Sequence, residues 1–210
     1  MADFDINDVI NKLKTRRKIF FSEADFQLEL GWVIKELYPD VKVYPEFAPQ
    51  FNPEIHIDIL VIQDGKWIPI ELKYKTKKSS FTIDAIQYNL KNQLAKDSNS
   101  YLYLKDIQRI ESVKKNVTKF QKGFAIFLTN ELSYSRKPRK PDCFYKDFSL
   151  ENEVIRTGTL NWSDEASEGT KKGREEPIIL EGEYKMYWQN YSKIDETPAG
   201  TFIYLITQIS

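Results

Sequence analysis

The stretch IHIDILVIQDGKWIPIELKYK, residues 55–75, decides the fold. Two runs rich in β-branched and aliphatic residues flank Asp64-Gly65, the strongest short signal for a two-residue hairpin, because both central positions of a type I′ turn need positive φ and Asp and Gly tolerate it. With that turn Gln63 pairs with Lys66, and the numbers of every opposed pair sum to 129. Asp58 then faces Glu71. Directly opposed residues project to one side of a sheet with Cβ atoms about 4.5–5.5 Å apart, so the register alone brings two carboxylates together. Period-two alternation adds Lys73 to that side and sends Ile70 and Leu72 the other way, into apolar packing. His56 shares the carboxylate face opposite Lys73, where a lone strand histidine is expected to be structural.

Like charges opposed across a sheet are destabilising, so this pair needs a cation or a proton. A hard divalent ion would serve: it takes oxygen ligands, typically one or two carboxylates with waters and substrate phosphate oxygens. Lys73 would then position or activate the attacking water and offset charge developing on phosphorus. The competing reading is a surface ion-pair cluster on the exposed face of a hairpin, and hairpin geometry leaves both open.

Working outward, residues 8–20 are predicted as a short helix. Ser22 offers an N-cap with Glu23 and Asp25 in the first turn, and Phe26, Leu30, Val33, Ile34 and Leu37 give a helix over 23–37 one buried face before Pro39 ends it. Residues 41–47 read as a strand. Beyond Ser80 the spacing predicts one or two helices over 83–119, broken near 97–100; 123–130 is an apolar run of strand length; 138–141 and 163–176 read as loops; 177–180 and 201–209 read as strands. No internal repeat is present. This order predicts an α/β fold, a central mixed sheet flanked by helices, in a single domain over 1–210 with a C-terminal β-rich extension over 141–210.

With 41% apolar and 30% charged residues, the composition is that of an ordinary globular domain, long enough to need no oligomer for stability. The chain has one cysteine, Cys143, and one histidine, His56, which excludes a disulfide within it and leaves structural zinc and histidine-based hydrolase sites without ligands. No apolar run approaches the roughly 18 residues of a membrane span and the start lacks a signal-peptide core, so a cytoplasmic protein without a membrane partner is expected. Net charge is zero but uneven. Residues 105–140 hold ten Lys/Arg against three Asp/Glu, giving +7; residues 141–210 hold seven against thirteen, giving −6; residues 1–104 carry the remaining −1. The basic excess, with Arg136, Lys137, Arg139 and Lys140 at its end, is either a solvated surface or a phosphate-binding flank of a nearby polyanion site.

Asp58, twelve residues and then Glu71-Leu72-Lys73 together resemble the signature of the PD-(D/E)XK nuclease superfamily, which has the restriction-endonuclease-like fold. The surroundings fit: an acidic helix precedes the hairpin, Asp58 lies within an apolar strand, and Glu71-Leu72-Lys73 closes the run WIPIELK. Ile57 stands where a proline often precedes the first aspartate. The resemblance covers about residues 20–130, while the acidic C-terminal third matches no pattern of the superfamily. It implies a restriction-endonuclease-like core and a metal-dependent nuclease that hydrolyses phosphodiester bonds. The implied cofactor is Mg²⁺, with Mn²⁺ as substitute, and the expected partner is nucleic acid, DNA ahead of RNA. An endonuclease is expected over an exonuclease; restriction, repair and anti-phage roles stay open, as does a homodimer.

Carried over residue by residue, Asp58 and Glu71 become metal ligands and Lys73 the catalytic lysine. The first core helix supplies a further acid, and Glu23, with Gln27 one turn later on the same face, is favoured over Glu29, which a helix rotated by about 60° would bring in instead. Gln87 and Lys91 fall in the helical stretch where relatives place a residue that supports the site or touches phosphate. Tyr101, Lys105, Asp106, Arg109 and Glu111 are expected to lie on a solvent face as intrahelical pairs. The spacing of Tyr184, Tyr187, Trp188 and Tyr191 predicts a packed helix face ahead of a base-stacking platform. The alternative function is a protein of the same fold that binds nucleic acid or a protein partner without cleaving.

Overall fold

The computed structural model describes residues 3–140 and 142–210; Pro141, the last residue of the loop expected at 138–141, lies outside the described residues. Helix α1 (Ile6–Arg16) starts where the Asp5 side chain accepts the Asn7 amide, and it buries Ile6, Val9, Ile10 and Leu13. It stops before the expected limit, and Ile19 and Phe20 reach the core from the irregular chain beyond it. Helix α2 (Glu23–Leu37) has the expected bounds, the Ser22 cap on the Asp25 amide, and Phe26, Leu30, Val33 and Ile34 buried.

Strands β1 (Lys42–Phe47), β2 (Ile57–Gln63) and β3 (Lys66–Lys75) follow as an antiparallel meander. Asp64 and Gly65 have φ of 50° and 75°, as a type I′ turn requires, and the β2–β3 pairs from Gln63 opposite Lys66 to Ile59 opposite Ile70 all sum to 129.

Residues 83–119 depart from the helical expectation. β4 (Ser79–Ile83) and β5 (Ile86–Leu90) form a separate hairpin, and a single helix α3 (Lys96–Asn116) runs without a break through 97–100. The hairpin is turned by Asp84 and Ala85 at φ 49° and 64°, a left-handed pair with no glycine to signal it. Its alternation is plain once the turn is placed: Phe81, Tyr88 and Leu90 are buried, while Ser80, Thr82, Gln87 and Asn89 are exposed.

β6 (Gly123–Thr129) is the expected apolar strand. β7 (Ile155–Leu160) and β8 (Ile178–Lys185) make a second ribbon, and β9 (Trp188–Lys193) and β10 (Thr201–Ile209) return to the main sheet. The aromatic run over 184–191 is therefore strand, not helix. The chain changes partner across Met186 and Tyr187, from β7 to β10, and this interruption of a period of two gives the tyrosines their helix-like spacing.

The main sheet is six-stranded and mixed, in the order β1-β2-β3-β6-β10-β9. Only β3 and β6 are parallel, with α3 in the crossover between them. The C-terminal third thus supplies two strands of the central sheet as well as the β7–β8 ribbon. On one face, α1 and α2 cover Ile68, Ile70, Leu72, Tyr74, Phe124 and Ile126; on the other, Tyr103, Leu104, Ile107 and Ile110 of α3 cover Ala125, Phe127 and Leu205. Alternation along β3 consequently turns Glu71 and Lys73 toward α3, where they meet Arg109 and Asp106. Among the described residues no helix is long and apolar enough to cross a membrane.

Besides apolar packing and a hydrogen bond from Gln108 to the Ile179 carbonyl, a buried carboxylate ties the β7–β8 ribbon to α3. Glu111 accepts from the Glu181 amide (2.9 and 3.1 Å), the Gly182 amide (2.8 Å) and the Tyr184 hydroxyl (2.7 Å). A Cβ on Gly182 would lie 2.6 Å from that hydroxyl. Glu111 was expected on a solvent face, yet it is buried, because the ribbon brings it the donors that a buried carboxylate needs. Glu111→Ala strands these donors, so urea unfolding should show a loss of about 2–3 kcal/mol; a loss below 0.5 kcal/mol, the usual range for surface substitutions, would mean that the ribbon is anchored elsewhere.

Candidate functional site

β2 leaves β3 at the foot of the hairpin. Their register ends at Ile59 opposite Ile70, while β2 stays with β1 as far as Ile57 opposite Phe47. Continued pairing would have supplied acceptors for the amides of Leu72 and Tyr74. Two side chains do so instead: Asp58 Oδ2 accepts from Leu72 N at 2.6 Å, and Glu23 Oε2 accepts from Tyr74 N at 2.7 Å. Asp58 and Glu71 therefore lie one step beyond the last ladder pair, at a gap that the two acids help to hold open.

The group is dense in charge. Glu71 is 1% exposed, and its Oε2 lies 2.9 Å from Arg109 Nη1; apart from this ion pair, both carboxylate oxygens are buried without a hydrogen-bond partner. Lys73 Nζ lies 2.7 Å from Asp106 Oδ2 and donates to the Leu72 carbonyl at 3.3 Å, and Asp106 Oδ1 lies 3.3 Å from Arg109 Nη1. Lys75 Nζ is 2.9 Å from Glu23 Oε2.

Burial pushes the Asp58 carboxyl up to about 6, against the Leu72 amide and Lys73, with repulsion from Asp106 and Glu23 adding to the rise. Burial and then the Asp106 charge push Glu71 well above the usual carboxylate range, although Arg109 opposes them. Asp106 is raised by its burial against the pull of Lys73 and Arg109. For Lys73 burial is the largest influence and favours the neutral amine, but Asp106, Glu23 and Asp58 together outweigh it and hold the lysine charged.

Of the two helix acids, Glu23 reaches this gap. Glu29 pairs with Arg17 at 3.2 Å and Arg16 at 3.6 Å, next to α1. Gln27 donates to the Asp58 carbonyl at 2.6 Å and to Glu46 at 2.8 Å, which fixes the strand bearing Asp58 against α2. His56 is exposed, just ahead of β2. Gln87 and Lys91 do not lie on a helix: Gln87 is exposed on β5 among Ser80 and Asn89, and Lys91 is exposed just after that strand.

Arg136, Lys137, Arg139 and Lys140 are exposed and border a cleft of about 610 Å³ with Lys96 and Tyr145. Their loop leaves the sheet after β6, at the end where parallel β3 carries Lys73 and Lys75.

Asp106 and Arg109 were expected as solvent-facing pairs and are instead part of the site. A signal existed: Asp106 falls between Tyr103 and Ile110 at helical spacings of three and four, inside the buried stripe of α3, where an acid needs a partner. Arg109 also borders a cleft of about 600 Å³, lined by Asn52, Ile55, Lys105 and Gln108 among others.

Among the described residues, no three or more His, Cys, Asp and Glu side chains are gathered so as to hold one metal ion. What the gap offers is a two-acid set, Asp58 with Glu71, and the buried oxygens of Glu71, which meet no donor among the described residues beside Arg109, fit an ion that fills its shell with water and substrate oxygens. No protein-family model matches the chain, and no curated protein matches it.

The raised Asp58 carboxyl has a consequence for stability. With its ordinary value at 3.8 and its folded value at about 6, the folded chain holds a proton that the unfolded chain has lost, so stability falls as pH rises between these values and levels off above them. Asp58→Asn keeps an acceptor for the Leu72 amide and removes the buried charge. In metal-free buffer at pH 7.5 it should be more stable than wild type by about 1–2 kcal/mol, the gap closing toward pH 4. Urea unfolding from pH 4 to 8 checks this, and a gap that stays constant with pH would assign the effect to something other than the Asp58 charge.

Proposed function

We propose that this chain is a metal-dependent nuclease of the PD-(D/E)XK kind, hydrolysing phosphodiester bonds in nucleic acid, with DNA as the substrate. One observation carries the reading: Asp58, Glu71 and Lys73 meet at the gap between β2 and β3, with Glu71 buried and its oxygens short of donors. Asp58 and Glu71 would hold Mg²⁺, or Mn²⁺ in its place, and Glu23 is the nearby helix acid. When bound, the ion would act as a Lewis acid on the phosphoryl group.

The chain's own part is electrostatic. Lys73, kept charged by Asp106, donates toward the attacking water and stabilises the negative charge that builds on phosphorus, most strongly where its surroundings exclude solvent. The basic loop would take the flanking phosphates. The runner-up, a non-catalytic binder of nucleic acid or protein, draws on the ion pairs Glu71–Arg109 and Lys73–Asp106, through which the chain satisfies two signature charges internally.

The two separate on incubation with plasmid, linear and single-stranded DNA and with RNA, with and without Mg²⁺ or Mn²⁺. Metal-dependent cleavage is expected, falling by about 10²–10³-fold or more in Asp58→Ala, Glu71→Ala and Lys73→Ala while circular dichroism stays unchanged. No cleavage of any substrate would favour the binder; cleavage that survives Asp58→Ala would move the active site elsewhere.

Phosphate contacts should make affinity fall steeply with salt. Reversing the charges of Arg136, Lys137, Arg139 and Lys140 should weaken DNA binding and flatten the slope of log affinity against log salt by about 3 to 4. An unchanged slope would return the loop to solvated surface.

A further inference from the structure

We propose that Arg109 is the resident counter-cation of the gap, occupying on Glu71 the place that a divalent ion takes over, so that arginine and metal compete for one carboxylate. The inference rests on the metal-dependent reading above and adds a residue, on a different element, that sets how tightly metal is held.

Glu71 is 1% exposed, and among the described residues no donor other than Arg109 reaches its oxygens, so its charge is met at close range by one group, the Arg109 guanidinium at 2.9 Å from Oε2. A carboxylate this deeply buried needs a counter-charge whenever it is ionised. Lys73 does not supply it, because its side chain is only 13% exposed and its ammonium is committed to Asp106 at 2.7 Å and the Leu72 carbonyl at 3.3 Å. Arg109 differs on both counts. Its side chain is 29% exposed, its second acidic contact, Asp106 Oδ1, is longer at 3.3 Å, and it borders the 600 Å³ cleft lined by Lys105 and Gln108, into which a long side chain can swing. A divalent ion at Glu71 repels the guanidinium and needs the same oxygen lone pairs, so one cation leaves as the other enters. Without metal, Arg109 keeps the buried acid compensated; with metal, it is released into the cleft.

Isothermal titration of the metal-free protein with Mn²⁺ tests this, using wild type, Arg109→Gln, Arg109→Lys and, as a control for general loss of positive charge at the same cleft, Lys105→Gln. Arg109→Gln should bind Mn²⁺ about ten-fold more tightly, equivalent to about 1.4 kcal/mol. Arg109→Lys should fall between it and wild type, and Lys105→Gln should match wild type. In thermal unfolding, Arg109→Gln should melt below wild type without metal and gain more from Mn²⁺. Equal or weaker binding by a folded Arg109→Gln, or an equal gain in Lys105→Gln, overturns the competition while leaving the metal site in place. If Arg109→Gln does not fold, Arg109→Lys decides, and binding no tighter than wild type overturns the inference. Absence of Mn²⁺ binding in all four proteins would overturn the metal-dependent reading itself, and this inference with it.

Discussion

Two backbone amides organise the site. Where β2 parts from β3, the N–H groups of Leu72 and Tyr74 lose the acceptors that further pairing would have supplied, and buried amides do not stay unpaired. Asp58 and Glu23 accept from them, which fixes one acid at the start of β2 and another at the first turn of α2. The remaining charges follow from these two. Asp58 beside Glu71 calls for cations, Lys73 and Arg109 supply them, and Asp106 balances Lys73 in turn. Counting Glu23, Asp58, Glu71 and Asp106 against Lys73, Lys75 and Arg109, four acids meet three bases, an excess of one acid that a proton or an incoming cation offsets.

Strand β3 serves two environments at once. Ile68, Ile70, Leu72 and Tyr74 enter the core under α1 and α2, while Glu71 and Lys73 face α3. The carboxylates thus sit on a strand whose position is set by apolar packing on its other face, and that packing outweighs their mutual repulsion. Natural sites commonly trade stability for function in this way. The same geometry lets a site residue be changed without removing an atom from the apolar core.

Much of this was legible in the sequence, for identifiable reasons. The Asp-Gly turn sets a register of one sum, so the Asp58–Glu71 neighbourhood and the side on which Lys73 lies could be read from five pairs that formed as expected. Glu23 was legible because Ser22 marks where α2 begins. Two kinds of information were not. The Asp84–Ala85 turn uses left-handed backbone at residues with no glycine, so its hairpin passed for helix and took Gln87 and Lys91 to the wrong element. Arg109 and Glu111 carry charges read as intrahelical pairs on a solvent face, and only contacts across the fold, with β3 and β8, explain where they lie; the spacing of Asp106 places it in the buried stripe of α3 but does not name Lys73 as its partner. Strand parting, too, is invisible to a periodicity that predicts continued pairing.

The position of β10 bears on how the chain is made. It lies between β6 and β9 in the sheet, although both its partners precede it in the chain. A nascent polypeptide that has emerged as far as Lys193 carries the hairpin, α3 and β6, hence every charge of the cluster, but leaves one margin of β6 as a raw row of amides and carbonyls. Such margins invite pairing with foreign strands. In chain order every charge of the gap thus precedes the strand that seals the sheet, and until residues 201–209 pair with it that margin of β6 is open to mispairing.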